Sequence, residues 1–147
     1  MDSFRILPHL AALGGAYVLA IPIGWDRERS ERSAGLRTFP LVAIAACGFV
    51  QATEALLNDR PKGAARIIDG VITGIGLIGG SAIVKHGTSV LGTATAAAGL
   101  FATGAVGIAV GLGAYDGAVV ISALTFLTLR FLKPVKRERP DDPDMQR

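Results

Sequence analysis

Residues 6–25 read ILPHLAALGGAYVLAIPIGW, twenty residues without an Asp, Glu, Lys or Arg. A helix of that length, rising 1.5 Å per residue, crosses the roughly 30 Å hydrocarbon core of a bilayer. Four more apolar stretches follow. Residues 39–57 are broken only by Glu54, and residues 67–84 hold one acid, Asp69. An uncharged run from 87 to 115 is too long for one straight span, which predicts a loop followed by a helix near 93–112. Residues 117–132 are short, but Arg130 can snorkel to the interface. Pro8 fits a first helical turn, Pro22 predicts a kink, and Gly113 through Gly117 predict a tight turn. The expected fold is an all-α membrane bundle of about five transmembrane helices over residues 1–132, then a short charged tail over 133–147. A four-span arrangement, with the last helix lying on the surface, is the alternative.

The composition of the whole chain agrees. Of 147 residues, 50% are hydrophobic and 18% charged, with a mean hydropathy of +0.46, whereas soluble domains are about a quarter charged. The charges cluster in 26–37, 58–66 and 130–147. Five spans put Arg27, Arg29, Arg32, Arg37, Lys85, Arg130 and the tail cations on one side, eleven against the four of Arg5, Arg60, Lys62 and Arg66. The positive-inside rule then predicts a multi-pass inner-membrane protein with a cytoplasmic first loop and tail and an outward amino terminus. The net charge of +3 reads as this bias rather than as a nucleic-acid footprint. Only Arg5 precedes the first apolar run, and no cleavage pattern precedes the charges after Trp25, so that run reads as a span and not a signal peptide. The basic run within 133–139 reads as a stop-transfer flank that can touch anionic headgroups.

Thr95, Gly99, Thr103, Gly107 and Gly111 recur every four residues along the fourth helix. Gly70 with Gly74, and Gly76 with Gly80, repeat that spacing on the third. Small residues let backbones approach where lipid removes the usual hydrophobic drive. The third and fourth helices are therefore expected at the centre of the bundle, within one chain or across a homodimer. Gly74, Gly76 and Gly79 also match a dinucleotide-binding GxGxxG pattern, but that pattern needs a preceding strand in a soluble unit, and here it lies inside an apolar span.

Two groups of polar residues stand out. Asp69 falls inside a span and shares a helical face with Thr73, Gly76 and Gly80. That face can line a polar ion path, or Asp69 can sit at the interface and pair with Arg66. Glu54 is similar but nearer its helix end. The second group is the expected first loop, where Asp26, Arg27, Glu28 and Arg29 precede Gly35, Leu36, Arg37 and Thr38. A loop built only for topology needs cations. The interleaved acids predict internal ion pairs or docking onto other groups, with a solvated loop as the bland reading. Cys47 reads as packing, and His9 and His86 are isolated. With no nucleophile–base pair, metal-ligand cluster or phosphate loop, neither an enzyme nor a cofactor is expected.

Three blocks, in order, resemble the MgtC/SapB family of bacterial membrane proteins. The first is Ile23-Gly-Trp-Asp-Arg-Glu-Arg followed by Ala34-Gly-Leu-Arg-Thr. The second is Thr73-Gly-Ile-Gly-Leu-Ile-Gly-Gly. The third is Gly92-Thr-Ala-Thr-Ala-Ala, continuing to Ala105-Val-Gly and Gly111. The resemblance covers roughly residues 19–113. It implies a five-span domain, a link to magnesium limitation and, in pathogens, survival inside host cells. It also implies a membrane-protein partner, the ATP synthase or a transporter. The pattern departs at Asp26, where the family often has Glu, at Phe39 for His, at Gly70 for Gln and at Ala94 for a polar residue. The longer cytoplasmic domain of virulence-associated members is not in this sequence. The primary expectation is an accessory or regulatory membrane protein. The rival is a cation or proton transporter with a path near Asp69.

Overall fold

The structure, a computed structural model, describes residues 6–30, 35–57, 61–85 and 90–132. These form α1 (Ile6–Ser30), α2 (Thr38–Leu57), α3 (Pro61–Lys85), α4 (Val90–Gly111) and α5 (Tyr115–Phe131). The fold is all-helical. Among the described residues, three segments are long and apolar enough to cross a membrane: Ile6–Arg29, Lys62–Ser81 and Ala94–Gly111; Thr38–Glu54 is apolar but shorter. Large apolar side chains such as Leu7, Val18, Leu41, Leu77 and Leu124 point outward. The buried positions are instead dominated by small residues, the inverse of a soluble core.

Small residues set the packing. Ala12, Ala16 and Ala20 make a four-residue stripe on α1 that meets Ala43 and Cys47 of α2, Val106 and Val110 of α4, and Ala118 of α5. α4 touches every other helix, and its most extensive contact is with α2. A Cβ at Gly107 would overlap the Ala43 carbonyl oxygen and lie 2.9 Å from the Ala46 Cβ. One at Gly111 would lie 2.7 Å from the Val50 Cβ. The glycines of α4 thus let two backbones touch along a seam that any side chain would pry apart.

The fourth helix lies at the centre as expected, but the third does not. α3 packs only on α2 and α4 and is mostly exposed. Gly70, Gly74, Gly76 and Gly80 face open space, whereas Gly79 packs on Ala97. α3 also meets α4 through Ile75, whose Cδ1 fills the place a Cβ would take at Gly104. The physical reason is the partner surface. α2 offers Ala43, Ala46 and Cys47 to the glycines of α4, so the closest approach forms there.

The turn after α4 is tighter than the span from Gly113 to Gly117. Ala114 N–H donates to the Ala109 carbonyl at 2.9 Å and Gly113 N–H to Val110 at 3.0 Å, the paired bonds of a Schellman cap. Gly113 has φ +76°, the left-handed conformation that this cap requires. α5 then starts at Tyr115 and is tied to α1 by the Ser122 hydroxyl, which donates to the Leu19 carbonyl at 2.6 Å.

Candidate functional site at the corner of α1 and α2

Asp26, Arg27, Glu28 and Arg29 are helical, which differs from the loop expected there. α1 runs through Pro22 and ends at Ser30. Arg27 and Arg29 in its last turn suit the negative end of the helix dipole. Helical periodicity then splits the four residues. Asp26 and Arg27 are turned inward, 2% and 6% exposed, while Glu28 and Arg29 are exposed.

Glu28 organises the corner. Its Oε2 accepts a hydrogen bond from the Leu36 N–H at 2.7 Å, so the carboxylate reaches across to the start of the next element. Gly35 lies flat against it, and a Cβ there would be 2.6 Å from both the Cβ and Oε2 of Glu28. The Gly35 carbonyl accepts from Thr38 N–H at 3.0 Å and Phe39 N–H at 3.2 Å, which starts α2. Gly24 completes the fit, since a Cβ on it would stand 3.4 Å from the Gly35 carbonyl oxygen, the Leu36 Cα and the Phe39 Cβ. Below the corner, Phe39, Ile23, Leu100 and Leu129 form a buried cluster that ties α1, α2, α4 and α5 together. Gly99 admits the Phe39 ring, which would be 3.1 Å from an added Cβ.

Asp26 Oδ2 and Arg27 Nε and Nη1 are buried without a hydrogen-bond partner among the described residues. Leaving such groups unsatisfied costs roughly 1–3 kcal/mol each, and more when charged. Adjacent helical residues do not face one another, so the two do not satisfy each other. Above them the exposed surface is mixed. The Arg29 guanidinium lies 5.8 Å from the centroid of the Trp25 ring, and Leu36 and Arg37 are exposed beside the turn. No ion pair forms among these residues within the described structure; the acid instead caps a backbone amide. Sequence reading missed Trp25 and Phe39 as members of this site. For Trp25 the available signal was an aromatic at the end of an apolar run with a cation four residues on.

The other expected site residues lie elsewhere. Asp69 and Thr73 are exposed on α3, and the Thr73 hydroxyl donates to the Asp69 backbone carbonyl at 2.8 Å. Glu54 is exposed near the end of α2. Neither acid lines the two cavities described between helices, whose walls are almost wholly apolar. Asp69 makes no ion pair with Arg66 among the described residues. The bland reading of Cys47 fits its place in the α1–α2–α4 core. His86 and the tail over 133–147 lie outside the described residues.

Apolar spans, a small-residue interior and a charged corner at one end define a small polytopic α-helical membrane protein. The family model described as MgtC family matches residues 13–138, and the chain belongs to that family. It is 36% identical over 133 residues to Protein MgtC of Brucella abortus, covering 90% of this chain and 55% of that protein. It is 33% identical over 123 residues to Protein MgtC of Salmonella typhimurium, covering 84% and 52%. An uncharacterized protein of Synechocystis is 36% identical over 126 residues, covering 86% and 53%. The chain thus spans about half the length of the curated relatives it matches. No solved structure gives a significant match.

Proposed function

We propose that this protein is a non-catalytic accessory or regulatory factor of the bacterial inner membrane, in magnesium limitation and ion homeostasis, that acts by binding another membrane protein. The family it belongs to and the name borne by its relatives suggest the magnesium setting. The charge distribution supports an outward amino terminus and a cytoplasmic carboxyl end. The observation behind the binding role is the braced corner. The Glu28–Leu36 bond ties the end of α1 to the approach to α2, Trp25, Arg29 and Arg37 are exposed at these two ends, and Trp and Arg are the residue types that dominate binding hot spots. The ATP synthase or a transporter, the partners that the resemblance implies, are the first to test.

The transport reading has less support. The α2–α4 seam is closed backbone against backbone, and Asp69 stands outside the cavities. A liposome assay with the full chain separates the two. The regulator reading expects no ion or proton flux, and a co-purifying membrane protein that Arg37→Ala releases. Flux abolished by Asp69→Asn would overturn it.

A further inference from the structure

Between α2 and α3 runs a slot of about 620 Å³, walled by Val42, Ala45, Ala46 and Phe49 on one side and floored by Gly70 and Gly74 on the other. Its single charged lining residue is Arg66, at the end near Phe49. From Arg66 to Ile78 the slot follows α3 for twelve residues, about 18 Å. That is close to one leaflet of a core about 30 Å thick. Neither Gly70 nor Gly74 has a neighbour in front of its Cα, so the floor is open to an occupant.

The charge at the mouth says what occupant fits. Arg66 is exposed and makes no ion pair among the described residues, and Lys62, one turn earlier, is exposed as well. The first turn of α3 holds no acid, and Asp69, three residues beyond Arg66, does not line the slot. An anion is therefore favoured at this end, and a slender apolar chain beyond it. We propose that the slot seats one acyl chain of an anionic glycerophospholipid, with its phosphate at Arg66. The inference rests on the membrane setting alone and not on the regulatory role. A second copy of the chain is the competing occupant. It would bring a helix to a slot that has the length of one leaflet and ends in a cation.

The test uses the full chain purified in detergent and offered phosphatidylglycerol or phosphatidylcholine of identical acyl composition, with retained lipid read by native mass spectrometry. Wild type is expected to keep one phosphatidylglycerol per chain, with roughly tenfold preference, equivalent to about 1.4 kcal/mol. Arg66→Gln is expected to bring the two lipids to parity. Gly74→Leu, which fills open space, and Ala45→Phe from the opposite wall are expected to lose both. Equal retention of the two lipids by wild type would overturn the proposal. So would unchanged phosphatidylglycerol in both filled-slot variants, or a wild-type dimer that those variants convert to monomer.

Discussion

The Glu28 carboxylate and the Leu36 amide are 2.7 Å apart, a bond that spans eight residues and joins the end of α1 to the approach to α2. Because Gly35 is pressed between them, the bond has a steric condition as well as an electrostatic one. Glu28→Ala removes the acceptor and is expected to cost about 0.5–1.5 kcal/mol, the range for an ordinary hydrogen bond. Gly35→Ala forces the Glu28 side chain away and is expected to cost roughly 1–3 kcal/mol by overpacking. Thermal unfolding in detergent measures both. The double variant should lose less than the sum, because the two residues act on one contact.

At the α2–α4 seam, Gly107→Leu is expected to be among the most damaging single changes in the chain. The added atoms meet the Ala43 carbonyl and Ala46, which are backbone and near-backbone and cannot move aside. Overpacking of this kind typically costs about 1–3 kcal/mol or more. The same substitution at Gly76 or Gly80, both in open space, is expected to leave the melting temperature of the isolated chain nearly unchanged.

Ser122→Ala removes the hydroxyl that ties α5 to the Leu19 carbonyl of α1. Interhelical bonds of this type in membranes average about 0.6 kcal/mol, so the melting point should fall only slightly. Cysteine crosslinking between α1 and α5 should lose more than the melting point does, since the loss is confined to that contact.

Asp26→Leu and Arg27→Met replace buried polar groups that have no hydrogen-bond partner among the described residues with apolar ones of similar size. Such exchanges are often neutral or stabilising. Each variant is expected to match or exceed the wild-type melting temperature in detergent. A large drop in stability would show that these groups are satisfied within the folded chain.

The helices themselves were legible in sequence because membrane spans are set by length and hydropathy, which a single chain displays directly. The cap at Gly113 was partly legible for a local reason, since a left-handed residue needs glycine. The pairing of helices was not. Gly107 and Gly74 both occur at four-residue spacing among apolar residues, yet one meets a carbonyl and the other meets nothing. The difference lies in what the facing helix offers, and periodicity along one helix cannot report that. The corner was half legible. Its residues stood out by their mixed charges, but a charge rule alone assigns them to a loop. That Asp26 turns inward and Glu28 outward follows only once α1 continues through Pro22.

The proposed role of the braced corner is engagement of another membrane protein. A photo-crosslinking amino acid placed at Arg37, in otherwise wild-type and in Gly35→Ala backgrounds, tests it in intact cells. A discrete crosslinked membrane protein is expected in the first background and its loss in the second, at equal expression. An identical crosslink in both backgrounds, or none in either, would contradict it.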